Sequence, residues 1–370
     1  MNALLFLSLL IAGLAFLLWY FWTQKDSLVE WDSPLDQKKL LGAMKKSSLD
    51  TSFFQAGLAG IDIIEPEFVK IKKEIQKKIV WMEDFLHTIM VSLLSGGHLL
   101  VEWAPGLAKT KTIQTISDIV AMDFKRIQFT PDMLPADIIG VEVFNSKIKD
   151  FEIKLWPIVG NIILADEINR TTPKVQSALL ESMQEKQITI GGSTYLLPDP
   201  FFVLATQNPL EQEGTFPLPE AQLDRFMFKV LVDYPTVADE QKIISLMEQD
   251  STVSVKKMIS PATFSQLRRE SQSVIVADSL KDYIARLVTA TRETNSYLLY
   301  WASPRASLSL LFGAKSLAYL QGREFATHED VQRIALSVMR HRVGLSYEAQ
   351  AEGISVDHVL LNIFSGVTLE

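Results

Sequence analysis

Short apolar runs alternate with stretches of helical periodicity along most of the chain. Residues 161–167 and 201–208 are apolar until their last few residues, which is typical of strands buried on both faces of a parallel sheet. The segment 124–129 predicts a further short strand. A helix is predicted over 65–80 by apolar residues that recur on one helical face, namely Phe68, Ile71, Ile75 and Ile79. This alternation of strands and helices predicts an α/β fold.

Two further segments alternate between apolar and polar residues. Residues 187–197 form two alternating runs around Gly191 and Gly192, and residues 138–155 alternate more weakly. Two glycines between alternating runs suit the left-handed backbone of a tight hairpin turn. Both segments are therefore predicted to be β-hairpins.

The N-terminal segment is the most apolar part of the chain. Residues 3–22 are almost wholly apolar, and their number suits one helical pass through a bilayer. The segment lacks the charged start and small-residue cleavage site of a signal peptide, and a buried core helix would carry a polar stripe. Lysines that follow it place its C-terminal side in the cytoplasm. The prediction is a single-pass inner-membrane protein with an anchor over 1–24 and a tether over 25–60.

The first chemical signal is the segment 98–110, which reads HLLVEWAPGLAKT. An apolar run, a proline-glycine turn and a helix that opens at Lys109 are the parts of a loop that binds phosphates with backbone N–H groups. In such a loop the lysine contacts the β- and γ-phosphates, and the hydroxyl of Thr110 binds Mg²⁺. Because Trp103 and Ala108 occupy the two glycine positions of the strict pattern, the motif alone also fits an ordinary strand-turn-helix with a surface lysine.

A second signal ends the apolar strand predicted over 161–167. Asp166 and Glu167 lie at its C-terminal end, which is where open α/β sheets bind their ligands. Asp166 can hold the Mg²⁺ shell, and Glu167 can orient and deprotonate an attacking water. Asn208 ends the next apolar run and can hydrogen-bond that water or the γ-phosphate, although it also fits a turn before Pro209. The two motifs together predict nucleotide hydrolysis with Mg²⁺.

Composition and charge exclude several other classes of protein. The chain has 370 residues and no cysteine, which excludes disulfides, zinc ribbons and thiol catalysis. Its five histidines are scattered without the spacing of metal ligands. The net charge of −8 does not indicate a basic surface of the kind that binds nucleic acid. No nucleic acid partner is therefore expected, and a DNA translocase has little support.

From about Ile79 to Ser365 the sequence resembles the MoxR family of AAA+ ATPases. The resemblance is strongest in LADEINRTTPKVQSALLESMQEKQITI and in LPDPFFVLATQNPLEQEGTFPLPEAQLDRF. It implies an α/β fold with a P-loop AAA+ core, in which helices flank a parallel sheet, followed by an all-helical C-terminal lid. The implied boundaries are 61–236 for the core and 237–370 for the lid.

The resemblance also implies a role for each motif residue, and Ala108 is ordinary for this family. The positions that would bind nucleotide are Ala104, Pro105, Gly106, Leu107, Ala108, Lys109, Thr110, Lys111, Asp166 and Arg305. Thr110 and Asp166 would hold the metal. The catalytic positions would be Glu167 in Walker B, Asn208 as sensor 1, Arg225 as a finger that reaches the γ-phosphate of a neighbouring subunit, and Arg305 as sensor 2 on the lid.

A finger that acts between subunits implies an oligomer, and the resemblance implies a hexameric ring. MoxR relatives usually act as chaperones for proteins with von Willebrand factor A domains, so a client of this kind is the implied partner. The two predicted hairpins resemble insertions that face the pore or the client in the wider clade. The implied function is a membrane-anchored ATPase that couples hydrolysis to the remodelling, assembly or activation of client proteins.

Tryptophan stands where the family has glycine at Trp81, Trp103, Trp156 and Trp301. Glycine is used where φ is positive or where backbones approach closely, and an indole there costs about 1–3 kcal/mol in strain. At position 103 it would also crowd the nucleotide pocket. One hypothesis is that the gene reads UGA as glycine, and UGG codons at these positions would contradict it. The alternative is genuine tryptophan in a catalytically impaired nucleotide-binding scaffold at the membrane.

Overall fold

The computed structural model describes residues 52–79, 82–103, 109–145, 150–155, 157–208, 214–248, 254–293 and 296–369. All of them lie within the unit Leu49–Glu370. The helices are α1 (Ser52–Ala56), α2 (Pro66–Ile75), α3 (Glu83–Ser95), α4 (Lys109–Ile119), α5 (Ala136–Ile139), α6 (Pro173–Glu185), α7 (Glu220–Leu223), α8 (Val237–Glu248), α9 (Pro261–Gln272), α10 (Asp278–Thr289), α11 (Pro304–Leu320), α12 (His328–Met339), α13 (Tyr347–Ala351) and α14 (Val356–Ser365). The strands are β1 (Leu99–Trp103), β2 (Phe124–Gln128), β3 (Gly140–Asn145), β4 (Asp150–Leu155), β5 (Ile162–Asp166), β6 (Gln187–Ile190), β7 (Ser193–Leu196), β8 (Phe202–Gln207), β9 (Phe228–Val232), β10 (Leu298–Tyr300) and β11 (Gly344–Leu345).

Five parallel strands form the central sheet in the order β2-β5-β8-β1-β9. Within it, Leu99 of β1 lies opposite Leu204 of β8 and opposite Phe228 of β9. The C-terminal ends of β1, β5 and β8 therefore meet at one end of the sheet, which we call the carboxyl end. Residues just before β9 meet the start of β1 at the opposite end, which we call the amino end.

The sheet separates two apolar cores. On one face Leu99, Val101 and Trp103 of β1 pack with α3 and with the C-terminal helices, whereas Leu100 faces the core formed with α6 and β6. Strand β5 is buried along its whole length, and β8 is buried except at its last residue. Because both faces are covered, these strands are continuous apolar runs in the sequence rather than alternating ones.

The predicted α/β fold with a parallel sheet is confirmed, and both predicted hairpins are present. β3 pairs antiparallel with β4, and β6 pairs antiparallel with β7 around Gly191 and Gly192, whose φ angles of 55° and 82° are left-handed. The C-terminal region is not wholly helical, because β10 and β11 form a short antiparallel pair within it. The predicted boundary between residues 236 and 237 lies between β9 and α8.

The inner-membrane location predicted from the sequence is corrected by the structure. Among the described residues no helix is both long and apolar enough to cross a membrane, so the inner-membrane location inferred from the sequence is not upheld. The anchor predicted over 1–24 lies outside the described residues. In the tether predicted over 25–60, α1 buries Phe54, whose ring stacks on Phe364 at 5.0 Å. Core packing therefore begins before residue 60, because apolar side chains interrupt that otherwise polar segment.

Candidate functional site

Three of the predicted site residues lie at the carboxyl end of the sheet. Asp166 is the last residue of β5, Asn208 follows β8, and Lys109 opens α4 after the loop that leaves β1. Because β8 lies between β5 and β1, the three positions converge. The Lys109 Nζ lies 3.1 Å from Asp166 Oδ1, and Asn208 is buried directly after the end of β8.

The N-terminus of α4 also lies at this end of the sheet. Thr110 is partly buried in its first turn and Lys111 is exposed, whereas the predicted loop residues 104–108 lie outside the described residues. Free N–H groups at a helix N-terminus favour bound anions. The Thr110 hydroxyl and the Asp166 carboxylate are hard oxygen donors of the kind Mg²⁺ prefers when phosphate and water complete its shell. The described residues contain no group of three or more His, Cys, Asp or Glu that could hold a metal ion.

Asp166 is buried among hydrogen-bond donors. Its Oδ1 accepts from Thr206 Oγ1 at 2.8 Å, and its Oδ2 accepts from Arg126 Nη2 at 2.7 Å and Arg126 Nε at 3.2 Å. Burial raises the pKa of Asp166, but the hydrogen bonds from Arg126 and Thr206 and the charge of Lys109 outweigh burial, so that the pKa lies below its usual range. The carboxylate is therefore ionised at neutral pH, which a metal ligand requires.

Glu167 is held beside Asp166 by three polar neighbours. Its backbone is left-handed, with a φ of 60°, and its N–H donates to Thr206 Oγ1 at 2.9 Å. The Oε2 atom accepts from Gln128 Nε2 at 3.1 Å and from Arg170 Nη1 at 3.0 Å. A non-glycine residue rarely adopts this conformation, so these contacts fix an otherwise unfavourable placement of the carboxylate at the sheet end.

Sequence reasoning did not identify Arg126, Gln128 and Thr206 as part of this site. Arg126 and Gln128 alternate along β2, Gln128 lies opposite Asp166, and Arg126 Nη2 donates to Gln128 Oε1 at 2.5 Å. Polar residues at alternate positions of a short strand were the signal that could have revealed them. Thr206 gave a similar signal as a polar residue within an apolar run.

Arg225 lies at the amino end of the sheet. It precedes β9, whose first residue Phe228 is level with Leu99 at the start of β1. The Lys109 ammonium contacts Asp166 at the end of β5, and β5 lies three strand spacings from β9, about 14 Å at roughly 4.8 Å per strand. Arg225, which precedes β9 at the amino end, therefore lies far from the Lys109–Asp166 pair of its own chain.

Arg305 lies beside Arg225 and not beside Lys109. It occupies the first turn of α11, where its Nη1 is 3.8 Å from Asp224 Oδ2 and its Nη2 donates to Gln184 Oε1 at 3.4 Å. The resemblance grouped Arg305 with the nucleotide-binding residues of the phosphate loop. The structure instead brings it to the amino end, because the C-terminal helices pack against the segment that precedes β9.

A cavity of about 330 Å³ opens at the amino end between the start of β1 and α11. Arg225, Arg305 and Lys186 contribute positive charge to its lining, and Asp224 contributes a negative charge. Among the described residues, the guanidinium of Arg225 and the ammonium of Lys186 have no ion-pair partner. The cavity therefore presents cations that an anion from outside this chain could pair with.

Comparison with known proteins assigns two parts of the described structure to known domain families. Residues 98–228 match the ATPase family associated with various cellular activities (AAA), and residues 290–363 match the AAA lid domain. The chain is 42% identical over 304 residues to Chaperone MoxR1 of Mycobacterium tuberculosis, covering 80% of each protein. The chain belongs to the MoxR family of AAA+ ATPases.

Two further proteins are similar to this chain over most of its length. Uncharacterized protein YeaC of Bacillus subtilis is 44% identical over 305 residues, which cover 82% of this chain and 95% of that protein. A solved structure from Cytophaga hutchinsonii, provisionally assigned as an ATPase, superposes with a TM-score of 0.77 at 39% identity and covers 89% of this chain and 98% of that one. The resemblance drawn from the sequence is confirmed, and the family implies nucleotide binding.

Trp103 is wholly buried at the end of β1. Its ring lies 4.7 Å from that of Phe85 on α3 in an edge-to-face contact, and its indole N–H has no hydrogen-bond partner among the described residues. An unpaired buried N–H costs about 1–3 kcal/mol. Neither Trp103 nor the exposed Trp301 has a positive φ, so the backbone strain expected at these two positions is wrong. Trp81 and Trp156 lie outside the described residues.

Proposed function

We propose that this MoxR protein hydrolyses ATP with Mg²⁺ and uses the energy to remodel, assemble or activate client proteins. The observation that supports this most strongly is the division of charged residues between the two ends of one sheet. Lys109, Asp166 and Glu167 lie at the carboxyl end, whereas Arg225 and Arg305 lie at the amino end. One copy thus holds two half-sites, and the carboxyl end of one copy facing the amino end of the next would complete an active site.

At the carboxyl end, each residue has a chemical role suited to its position. Lys109 neutralises the β- and γ-phosphates, and Thr110 and Asp166 would hold Mg²⁺, which supplies Lewis-acid neutralisation of phosphate charge. Glu167 orients a water and accepts its proton while the water oxygen bonds to the γ-phosphorus. The bond from that phosphorus to the bridging oxygen breaks, releasing ADP and phosphate, and Asn208 hydrogen-bonds the water or the γ-phosphate.

At the amino end, Arg225 and Arg305 would act on the nucleotide of a neighbouring copy. Arginine remains charged at all physiological pH values, and its planar fork matches phosphate oxygens. Such a group stabilises the charge of the transition state in phosphoryl transfer. A head-to-tail contact of this kind closes into a ring when the rotation between copies permits it, and we propose a hexamer.

Turnover should depend on protein concentration, because each active site needs two copies. We expect phosphate release per subunit to rise along a concentration series together with the molar mass measured by light scattering. Removing Mg²⁺ with a chelator should abolish turnover in the ring. Equal activity per subunit for monomer and ring would contradict a shared site.

We propose that the client is a protein with a von Willebrand factor A domain. The relative MoxR1 bears the name of a chaperone, which supports a protein client. Both hairpins also present exposed apolar side chains, with Val143 and Phe144 on β3 and Leu196 on β7. Clusters of exposed apolar groups commonly mark surfaces that bind other proteins.

A nucleotide-binding scaffold without turnover is the second candidate function. The observation that favours it is the complete burial of Trp103 against Phe85, next to the phosphate loop. If tryptophan is the natural residue, removing it should open a cavity and lower stability by about 3–5 kcal/mol. If glycine is the natural residue, no such loss should follow.

Changing Trp103→Gly should therefore separate the two candidates. If glycine is the natural residue, we expect ATP turnover to rise at least about tenfold, which is equivalent to lowering the activation free energy by roughly 1.4 kcal/mol. The free energy of unfolding should not fall. Phosphate release and urea unfolding measure the two quantities. The same exchange at the exposed Trp301 serves as a comparison. Unchanged turnover with a large loss of stability would support the scaffold, and UGG codons would support it independently.

A further inference from the structure

Arg342 is a buried arginine between α12 and β11, with only 4% of its surface exposed. A guanidinium is costly to bury unless its N–H groups find acceptors. Its Nε donates to Asp224 Oδ1 at 2.9 Å, its Nη2 donates to the Phe226 carbonyl at 2.6 Å, and its Nη1 donates to the Met227 carbonyl at 3.0 Å. These acceptors all belong to the short segment that precedes β9.

The same side chain also binds two helices of the lid. Its Nη2 donates to Ser309 Oγ of α11 at 3.1 Å, and its Nη1 donates to the Val338 carbonyl of α12. The neighbouring His341 adds a hydrogen bond from Nε2 to the Phe226 carbonyl at 2.9 Å. Burial lowers the pKa of Arg342 to about 10, while the charge of Asp224 opposes that effect, and the guanidinium stays charged at neutral pH.

Arg342 binds the residues on both sides of Arg225. Asp224 precedes Arg225 and Phe226 follows it, and both are bound by Arg342, whereas the Arg225 guanidinium has no ion-pair partner among the described residues. The backbone on both sides of Arg225 is therefore held by the lid in addition to the hydrogen bonds from Arg225 N to the Gln222 carbonyl at 3.2 Å and from Met227 N to the His98 carbonyl at 2.8 Å.

Asp224 connects Arg305 to the same hydrogen-bond network around Arg342. Its carboxylate accepts from Ser303 Oγ at 2.9 and 2.8 Å, and Ser303 in turn caps the start of α11 by accepting from the Arg305 backbone N–H at 3.1 Å. The Asp224 carboxylate and the buried Arg342 guanidinium thus connect the segment that carries Arg225 with the start of α11, which carries Arg305.

We propose that Arg342 is a positioning residue for Arg225. It fixes the backbone on both sides of Arg225 to helices α11 and α12, so that the placement of the lid determines where Arg225 meets the nucleotide of the neighbouring subunit. This inference rests on the proposed function of Arg225 as a finger acting between subunits.

Changing Arg342→Lys keeps the charge but removes the planar fork that reaches several acceptors at once. We expect kcat to fall about 10²-fold, the effect of a misplacement of about 1 Å. The KM for ATP should stay unchanged, because the subunit's own nucleotide site lies at the other end of the sheet. Arg340→Lys is the matched control: its Nη2 binds Asp357 at 2.9 Å, away from the segment that carries Arg225, and turnover should be unchanged.

A double-substitution cycle tests whether Arg342 acts through Arg225. In an Arg225→Ala background, Arg342→Lys should cause a much smaller loss of kcat than in the parent, since the group that it positions is already absent and only the contact to Arg305 through Asp224 is left. Losses that multiply in the double variant would overturn the inference. Thermal unfolding and light scattering of each variant establish that the ring is intact.

Mixed rings separate a positioning role from a general structural defect. Subunits with Glu167→Gln cannot hydrolyse ATP but keep their own Arg225, so mixing them with Arg342→Lys subunits should give turnover well above the sum of the two parents. Arg225→Ala subunits mixed with the same partner provide the reference. If mixtures of Glu167→Gln and Arg225→Ala subunits recover no turnover, the proposal that Arg225 acts between subunits is refuted. If those mixtures recover turnover but mixtures of Glu167→Gln and Arg342→Lys subunits do not, only the inference about Arg342 is refuted.

Should Arg342→Lys fail to assemble, Asp224→Asn removes the charged acceptor of the same contact at a less buried position. It is expected to show the same loss in kcat, the same much smaller loss in the Arg225→Ala background and the same recovery in mixed rings. An Asp224→Asn ring with wild-type kcat would overturn the inference.

Discussion

Changing Glu167→Gln should reduce ATP turnover by about 10²–10⁴-fold, the contribution of a general base to proton transfer. The amide has nearly the shape of the carboxylate and can still accept from Gln128 and Arg170, but it cannot take a proton from the attacking water. Nucleotide binding should persist, because Lys109 and Asp166 are untouched. Phosphate release measures the loss, and equilibrium binding of a fluorescent ATP analogue measures retention of the nucleotide.

The matched control for this variant is Glu185→Gln, the same exchange at an exposed position of α6. It should leave both turnover and binding unchanged. A Glu167→Gln protein that keeps turnover within tenfold of the parent would show that another group accepts the proton. Because the variant should hold ATP without hydrolysing it, it should also retain a client that binds only the ATP state, and a co-purifying von Willebrand factor A protein would identify that client.

The position of the carboxyl-end residues follows from the sequence in physical terms. Lys109, Asp166 and Asn208 each come after a short apolar run, and an apolar run without alternation indicates a strand covered on both faces. Parallel strands end on the same side, so residues that follow different strands converge there. The 3.1 Å contact between Lys109 and Asp166 is the result.

The partners of those residues did not follow from the sequence. Arg126 binds Asp166 across 40 residues, and the contact depends on β2 lying next to β5, which the linear pattern does not specify. The placement of Arg305 was also missed, because its position depends on how α11 docks on the segment before β9. Arg342 had no signal of burial in the sequence, since a charged residue among other charged residues usually indicates a solvated surface.

Trp103 shows a different limit of sequence reasoning. A family glycine marks either a positive φ or a close approach of backbones, and residue 103 lies in β1 without a positive φ, so the first reason does not apply. The remaining physical reasons for glycine there are close packing beside the phosphate loop and the unpaired indole N–H that tryptophan brings. The energetic argument against tryptophan is therefore one of space and polar burial rather than of backbone strain.

Changing Arg225→Ala should reduce kcat by about 10³–10⁵-fold, the range for an arginine that stabilises phosphoryl transfer between subunits. The residue lies at the amino end of the sheet with no ion-pair partner among the described residues, so its removal should leave the fold intact. The affinity of a single subunit for ATP should also be unchanged, because the residues proposed to bind its own phosphates lie at the opposite end of the sheet. Phosphate release by the assembled ring and nucleotide titration of the dilute subunit measure the two effects.

Two further variants sharpen the interpretation of Arg225→Ala. Arg225→Lys keeps the charge but loses the fork, so it should recover only part of the lost rate. Arg269→Ala removes an exposed arginine of α9 and should leave kcat unchanged. If Arg225→Ala instead weakened ATP binding to the isolated subunit with kcat preserved, Arg225 would act on the nucleotide of its own chain. That result would contradict a site completed by two copies, because Arg225 and the Lys109–Asp166 pair lie at opposite ends of the sheet and on strands that are not neighbours within one chain.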